Sequence, residues 1–202
     1  MAKIVASDYT LDLVAPQLET MTEEEFFHFC LQNKHIHIER DENQQILFLP
    51  PEGIQTSATN ANIGAFLSIW NMNTRLGVSF GTSAGFTLPD GSMRSPDAAW
   101  MSNEKYNALS KEEKQRFAHV VPDFVVELAS PSDNLKLAKE KMEMWRRNGV
   151  RLAWLIIPQQ EKTIIYRADG NTVEIDGFAG NTLSGEDVLP GFELKLDALA
   201  GA

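Results

Sequence analysis

The sequence predicts an α/β fold in which a mixed central β-sheet is flanked by helices. Three features lead to this prediction: a long helical pattern at about 59–75, a strand–helix–strand succession at about 123–157, and short strands with turn signals around both. A strand, a helix and a second strand in succession are typical of parallel pairing, whereas short strands joined by close turns are typical of antiparallel pairing. Together they predict one mixed sheet.

Length and composition indicate one globular domain over residues 1–202, with 1–20 and 190–202 at its periphery. The chain is 43% hydrophobic and 23% charged, which excludes disordered and fibrous classes. The single cysteine, Cys30, rules out an internal disulfide and suits a reducing cytoplasm. We therefore expect a cytoplasmic protein.

Two further features bear on partners. The first residues lack the pattern of a signal peptide, and the longest apolar run, at 152–157, is far too short to cross a bilayer, so no membrane association is expected. The net charge of −10 argues against nucleic-acid binding driven by overall charge, but it leaves room for a local basic groove.

The first half of the chain predicts two helices and a hairpin. Thr22 and Glu25 form a capping box that opens a helix ending near Leu31. The segments "HIHIE" and "QILFLP" predict a β-hairpin over about 35–49. The long helix at about 59–75 has a core face at helical spacing, made of Ile63, Phe66, Leu67 and Trp70.

The second half predicts strands around one amphipathic helix. Ser110 and Glu113 form another capping box, within a short helical excursion at about 102–117. After the strand "DFVVEL", the segment 130–133 offers an N-cap, in which Ser132 is a capping candidate, for a helix over about 135–148. The strand "LAWLII" is apolar at nearly every position, so it should lie in mid-sheet, and "TIIYR" and "TVEI" predict a final meander.

Glu127 is the one carboxylate in a strand that otherwise reads as buried. Strand alternation puts Phe124, Val126 and Leu128 on one face and Val125 and Glu127 on the other. An ionised carboxylate loses several kcal/mol when it leaves water unless a partner compensates it, so Glu127 needs a partner.

Asp97, which starts another predicted strand directly after a proline, is the candidate second acid. Two carboxylates at strand ends in one sheet can converge, and a hard cation such as Mg²⁺ between them would relieve their repulsion. The alternative is that Asp97 caps a turn and Glu127 pairs with an arginine.

The helix after Glu127 carries a local excess of cations in an acidic protein. Residues 134–151 contain six Lys and Arg against two Glu, which fits either a phosphate-facing ridge or a solvated helix face. Lys139 and Lys141 lie on opposite flanks of the apolar stripe, and helical periodicity does not choose between them as the lysine nearer the acids. His35 and His37 share a spacing that would put them on one face of a strand, so they form a weaker candidate metal pair.

Four segments together resemble the Uma family of restriction-endonuclease-like proteins, part of the PD-(D/E)XK nuclease superfamily. They are "RSPDAAW", "VPDFVVELASPSD", "KMEMWRRNGVRLAWLIIP" and "KTIIYR", and the similarity runs over about 26–167. The resemblance implies a restriction-endonuclease-like fold and the hydrolysis of DNA phosphodiester bonds with Mg²⁺ or Mn²⁺.

Carried over by motif, the resemblance implies catalytic roles for Asp97, Glu127 and Lys141. Asp97 is similar to the first acid and Glu127 to the (D/E) position, and these two would bind the metal. In the superfamily motif a lysine stands two residues after the (D/E) position, and this lysine is missing after Glu127. In this family the lysine is displaced to the next helix, where Lys141 matches it. A glutamate from the first long core helix is not evident, because that segment offers only Asn60 and Asn62.

Two functions follow as hypotheses. The first is a metal-dependent endodeoxyribonuclease, and the alternative is a catalytically inactive nuclease fold that binds DNA or protein. A homodimer is also predicted, from the apolar hairpin segment "ILFLP" and from the paired action of many restriction-type folds.

Overall fold

A computed structural model of the protein describes residues 2–6, 9–13 and 21–199, with side chains from residue 21 onward. The α-helices are α1 Glu23–Gln32, α2 Ile54–Thr74, α3 Asn103–Ala108 and α4 Leu135–Arg147. Short 3₁₀ turns lie at Glu113–Gln115, Pro158–Gln160 and Leu196–Leu199.

The strands of the first half are β1 Ala2–Ala6, β2 Tyr9–Leu13, β3 His37–Arg40, β4 Ile46–Leu49, β5 Gly77–Gly81, β6 Phe86–Thr87 and β7 Met93–Arg94. Those of the second half are β8 Ala98–Ser102, β9 Ala118–His119, β10 Phe124–Leu128, β11 Leu152–Ile157, β12 Lys162–Arg167, β13 Thr172–Asp176, β14 Thr182–Ser184 and β15 Glu193–Lys195.

A six-stranded mixed sheet in the order β13-β12-β11-β10-β8-β5 forms the centre. Within this sheet β10 and β11 pair in parallel and the other neighbours pair antiparallel, because α4 connects β10 to β11 and returns the chain to the same end of the sheet. A second sheet, β4-β3-β7-β6-β9, packs beside it, and β1-β2 and β14-β15 form separate antiparallel pairs. The predicted mixed sheet flanked by helices is therefore confirmed.

The two faces of the central sheet are covered by different helices. The face with Phe124 and Val126 packs against α2 through Ile63 and Leu67. The opposite face packs against α4, where Met142 and Trp145 are fully buried. All six residues of β11 are buried, as expected for a mid-sheet strand with both faces covered.

The predicted elements of the first half are confirmed, with the starts of the hairpin and of α2 moved. The capping box at Thr22 is formed, and β3 pairs with β4 as the predicted hairpin. Helix α2 begins at Ile54, five residues earlier than expected. Its N-cap, Gly53, has no side chain to bond the first turn, and Ile54 is exposed, so neither a cap nor a core contact marks the start in the sequence.

One local prediction for the second half needs correction. The N-cap of α4 is Asn134, whose side chain accepts a bond from Lys136 N at 3.0 Å. Ser132 instead contacts the Ser130 hydroxyl at 3.0 Å. The Ser110–Glu113 capping box is formed and opens the short 3₁₀ turn, and this turn and α3 together make up the helical excursion predicted at about 102–117.

The C-terminal segment differs from the expected peripheral tail. Four of its side chains are buried in the core under α2: Phe192, Leu194, Leu196 and Leu199. In the sequence these apolar residues are interspersed with charged ones, so their common packing face could be recognised only in the three-dimensional structure. The prediction for residues 1–20 concerns side chains outside the described part of the chain.

No helix within the described residues is both long and apolar enough to span a bilayer.

Candidate active site

Glu127 lies near the end of β10 and points toward α4, on the face predicted by strand alternation. It is 8% exposed, while its neighbours Val126 and Leu128 point into the opposite core. The carboxylate therefore sits at the interface between the central sheet and α4.

Helix α4 supplies both partners of Glu127. The Trp145 indole N–H donates to Glu127 Oε1 at 2.7 Å. The Lys141 ammonium lies 3.0 Å from the same oxygen and 3.1 Å from Oε2. Lys141 and Trp145 are four residues apart, so one helix face delivers a cation and a neutral donor to one carboxylate. The expected arginine partner of the alternative interpretation is replaced by a lysine.

Glu39 on β3 is a third acid at this site, and the sequence analysis did not select it. It is 1% exposed, and Lys141 Nζ lies 3.3 Å from its Oε1. Arg94 Nη1 donates to Oε2 at 3.2 Å, and the Ser95 N–H donates to Oε1 at 2.9 Å. Lys141 thus bridges a glutamate of the central sheet and a glutamate of the second sheet.

Asp97 directly precedes β8. The β8–β10 register pairs Ala98 with Val126, and one further step along both strands brings Asp97 opposite Glu127. The Leu128 N–H donates to Asp97 Oδ2 at 2.6 Å. The predicted residues Asp97, Glu127 and Lys141 therefore come together at one end of the β8–β10 pair.

Helix α2 reaches Asp97 through Asn60. Asn60 Nδ2 donates to Asp97 Oδ1 at 3.2 Å and to Glu52 Oε1 at 2.8 Å. The sequence analysis found no glutamate in this helix. Glu52 lies just before its N-cap Gly53, and Asn60 links it to the site.

The local charges shift the protonation equilibria of the acids. Burial raises the pKa of Asp97 to about 7, and the nearby Glu127 carboxylate adds to the rise. Burial also raises the pKa of Glu127, against the lowering by Lys141, and Glu39 adds to the rise. For Glu39 the lowering by Lys141, Ser95 and Arg94 outweighs burial, so its pKa falls.

Lys141 stays protonated in this environment. Burial alone would lower the pKa of its ammonium, but Glu127, Glu39 and Asp97 together raise it. The site therefore carries a permanent cation among three carboxylates.

The donor atoms fit a hard divalent cation. Asp97 and Glu127 offer carboxylate oxygens, and Asn60 Oδ1 is buried without a hydrogen-bond partner among the described residues. Within residues 21–199 no group of three His, Cys, Asp or Glu side chains is arranged to hold an ion. Mg²⁺ commonly uses one or two carboxylates and keeps several waters, so a pair of acids is a sufficient protein contribution.

The two candidate lysines occupy different environments. Lys139 is half-exposed and lies 3.7 Å from Glu174 on β13, away from the acids. Glu143, four residues after Lys139, accepts a bond from Arg146 at 2.8 Å instead of pairing with Lys139. Geometry therefore selects Lys141 as the lysine beside the acids.

The histidine pair does not form. His35 lies in the turn after α1, and β3 begins only at His37, so the two side chains do not share a strand face. Both residues are exposed. The prediction of a transition-metal pair is wrong because a hairpin strand starts two residues later than its alternating pattern suggests.

Four residues that surround the candidate site were not selected from the sequence: Glu39, Arg94, Trp145 and Glu52. Glu39 sits in the short segment "HIERD", where an acid is the usual sign of a strand end. Trp145 lies in the apolar stripe of α4, a position typical of a packing residue. Its N–H could have been noticed, because a buried indole usually bonds a partner.

The fold belongs to the restriction-endonuclease-like class of α/β proteins, with a mixed sheet between helices and paired acids at one strand end. The chain matches the family described as "Uma2: Putative restriction endonuclease" over residues 23–197. It belongs to this family, which confirms the resemblance found in the sequence.

One solved structure supports the same fold. It is described as a putative nuclease belonging to DUF820 from Anabaena variabilis, and it is 17% identical to this chain with a TM-score of 0.72. The similarity covers 89% of this chain and 97% of that one. No curated protein matches the sequence.

Proposed function

We propose that this protein is a metal-dependent endonuclease that hydrolyses DNA phosphodiester bonds with Mg²⁺ or Mn²⁺. One observation carries the proposal: Lys141 lies 3.0 Å from Glu127, beside Asp97, in a chain of a family described as restriction endonucleases. The three side chains come from different elements, and their convergence matches the chemistry of a nuclease site.

Asp97 and Glu127 are the residues that would hold the cation. When bound, a divalent cation supplies a water of lowered pKa and offsets charge on the phosphate. Lys141 remains protonated, so its ammonium can donate to a phosphate oxygen or orient the attacking water. Trp145 keeps Glu127 in place, and Glu39 fixes Lys141 from the opposite side.

A groove beside the site supports a polyanionic substrate. It is an open volume of about 1360 Å³, and Glu39 and Lys141 are among its lining residues. Five further cations line it: Arg94, Lys136, Lys139, Arg147 and Lys162. Within the described residues Arg147 has no ion-pair partner, which leaves its guanidinium available for a phosphate.

Nearby acids oppose a purely electrostatic interaction. The same groove also contains six acidic side chains, so its net charge is close to zero in a chain of net charge −10. DNA would therefore be held by a few cationic side chains rather than by a broad basic surface. Because the salt dependence of DNA affinity scales with the number of phosphate contacts, we expect this dependence to be modest.

A second function is a nuclease fold that binds DNA or protein without turnover. The observation that favours it is that Lys141 already neutralises Glu127 and Glu39. The absence of the X-K sequence after Glu127 points the same way.

One assay separates the two functions. The purified chain is incubated with single-stranded and double-stranded DNA in Mg²⁺ or Mn²⁺, beside Asp97→Ala and a chelator control. Metal-dependent cleavage lost in Asp97→Ala supports the nuclease. DNA binding by fluorescence anisotropy without cleavage, unchanged in Asp97→Ala, supports the binding module.

The proposal also includes a homodimer and a cytoplasmic location. The lone Cys30, which has no disulfide partner, suits a reducing compartment. Fractionation of the source cells tests the location, and recovery of the protein outside the cytoplasmic fraction contradicts it.

A further inference from the structure

Two arginines are buried in the second sheet, and they differ in their partners. Arg94 has two acids beside it, since its Nη1 lies 3.2 Å from Glu39 and its Nη2 lies 3.6 Å from Glu42. Arg40 is only 2% exposed, yet no acid among the described residues is close enough to form an ion pair with it. A buried charge without a counterion is costly, so the position of Arg40 requires an explanation.

The contacts that Arg40 does make are with neutral groups. Its Nη1 donates to the Met21 carbonyl oxygen at 3.1 Å, and the guanidinium carbon lies 4.6 Å from the centre of the Phe26 ring. Its Nε is buried without a hydrogen-bond partner among the described residues. Burial lowers the pKa of the guanidinium, and the more distant Glu23 offsets this only in part. The positive charge of Arg40 is therefore not neutralised by the residues around it.

Arg40 lines a pocket of about 260 Å³ between α1, the second sheet and the segment 110–119. Much of the pocket wall is apolar, and three of the apolar residues are aromatic. A cavity of about 150 Å³ is large enough to bind benzene, so this pocket has room for one ring and a small polar group. The apolar lining residues are Phe26, Phe27, Met93, Phe117 and Ala118.

The other cations of the pocket lie at its rim and already have acidic partners. His119 Nε2 lies 2.7 Å from Glu23, and Arg116 Nη2 donates to Glu24 at 2.7 Å. These four side chains are 39–60% exposed, so water screens their charges. Among the described residues, Arg40 is thus the one buried cation of the pocket that has no counterion.

We propose that this pocket binds a small aromatic monocarboxylate, with its carboxylate on Arg40 and its ring against Phe27 and Phe117. The ligand would supply the counterion that Arg40 lacks. A guanidinium bonds a carboxylate more strongly than it bonds a neutral acceptor, because both groups are charged. The exposed acids Glu112 and Glu113 also line the pocket, so a single negative charge suits it better than the two charges of a phosphate.

The arrangement of the phenylalanine rings favours an aromatic body. The rings of Phe27 and Phe117 meet edge to face, with centroids 5.2 Å apart, and Phe26 lies 6.1 Å from Phe117. Aromatic pairs prefer this geometry, and a further ring in the pocket can adopt it with the same partners. A purely aliphatic acid would fill the space without these contacts.

The pocket is separate from the candidate active site. Ile38 packs with Phe26 in the core under α1, and Arg40 lies on the same face of β3, whereas Glu39 between them contacts Lys141 on the other face. Among the described residues, the pocket and the groove beside Lys141 have no lining residue in common. The inference therefore does not depend on whether the protein cleaves DNA.

Titration of the isotope-labelled full chain with sodium benzoate, followed by amide NMR, tests the proposal. We expect saturable shifts centred on Thr87 and Ala118, which line the pocket. Benzyl alcohol has the same ring without the charge and should bind at least about 10-fold more weakly, because hydrogen bonds between charged groups are the stronger ones. Equal affinities for the two probes, tighter binding of inorganic phosphate, or shifts centred elsewhere would overturn the proposal. So would a lack of saturable binding, as expected if another segment of the chain fills the pocket.

Two arginine variants locate the charge that the ligand recognises. Arg40→Leu should weaken benzoate binding at least about 10-fold. Arg147→Leu is the matched control and should bind benzoate like the wild type, because Arg147 also has no ion-pair partner among the described residues but is exposed and lines the groove instead. Unchanged affinity in folded Arg40→Leu, or equal losses in both variants, contradicts the assignment. Where Arg40→Leu does not fold, the comparison of benzoate with benzyl alcohol on the wild type decides alone.

Discussion

Helices α2 and α4 flank the same sheet but carry opposite surfaces. Seven of the thirteen residues of α4 are charged, whereas α2 has no charge in twenty-one. Both helices nevertheless contribute to the candidate site from their sheet-facing sides, α4 with Lys141 and α2 with Asn60. The two helices therefore resemble each other where they face the candidate site and differ in the charge that they carry.

The two lysines of α4 give the largest expected effect. We expect Lys141→Ala to lower the cleavage rate by about 10²–10³-fold or more, because it removes a cation from the reacting phosphate. Lys139→Ala should leave the rate near that of the wild type, since Lys139 contacts Glu174 instead. The measurement is single-turnover cleavage of labelled DNA in Mg²⁺. Equal losses in both variants would remove the distinction between the inner and outer faces of α4.

Lys141→Ala should also reduce folding stability in the absence of metal. The substitution leaves Glu127 and Glu39 buried without their shared cation, and breaking a buried ion pair costs about 3–5 kcal/mol. Urea unfolding in a chelator measures this loss. Mn²⁺ should restore part of the stability of Lys141→Ala without restoring cleavage. A stable metal-free variant would mean that another charge compensates the glutamates.

Asp97 lies where α2 meets the site, and its raised pKa predicts an unusual pH dependence. An acid whose pKa is higher in the folded state stabilises the protein below its unfolded pKa near 4, and this stability is lost as pH rises through about 7. Asp97→Asn should therefore be more stable than the wild type at pH 8 in a chelator, by up to about 4 kcal/mol for a shift of about three pKa units, and not at pH 4. Asn60 Oδ1 can accept a bond from the new amide.

Urea unfolding of both proteins across this pH range measures the difference. Groups away from the site titrate equally in the wild type and the variant, so the change in the difference reports Asp97 together with the Glu127 carboxylate that interacts with it. A constant difference between pH 4 and pH 8 would contradict a raised pKa.

Two buried tryptophans allow the hydrogen bond between α4 and Glu127 to be tested. Trp145→Phe removes the N–H that bonds Glu127 Oε1 and leaves Lys141 as the partner of that oxygen. Loss of a hydrogen bond to a charged group costs about 1.5–3 kcal/mol. Trp154→Phe on β11 is the matched control, because its indole nitrogen is buried without a partner among the described residues. Chemical unfolding should show a larger loss for Trp145→Phe. Equal losses would assign both effects to packing volume alone.

Gly64 in α2 gives the smallest effect. A Cβ added there meets no atom within 4 Å inside the chain. Because glycine is a poor helix former, Gly64→Ala should stabilise the protein by about 0.5–1 kcal/mol. Thermal unfolding measures this, with Gly77→Ala as the opposite control, since its Cβ would lie 2.1 Å from the Met101 carbonyl oxygen. A destabilised Gly64→Ala would show an unseen close contact on this helix.

The sequence predicted the sheet and α4 well because their signals are local. Strand alternation assigned the correct face to Glu127, and the helix after it could be recognised from its apolar stripe. Helix α2 was harder to delimit, since Gly53 provides no capping side chain and Ile54 makes no core contact. Local sequence patterns therefore could not locate the start of this helix, because neither a capping side chain nor a core contact marks it.

The site was predicted only in part for a different reason. Asp97, Glu127 and Lys141 came from the family resemblance, and periodicity alone left Lys139 and Lys141 open. Glu39 escaped because its role depends on the packing of the second sheet against α4, a contact between residues 102 positions apart. The alternation of residues within β3 gives no information about a contact with a residue so far along the chain.

That separation has a consequence for the newly made chain. Glu39, Asp97 and Glu127 are all synthesised before Lys141, and contacts between distant residues form late because long loops must close first. A chain that stops before α4 would hold the acids without the ammonium and indole that partner them. Assembly of the site is thus tied to completion of the β10–α4–β11 unit, and the last strand to enter it, β11, emerges only after the whole constellation has been translated.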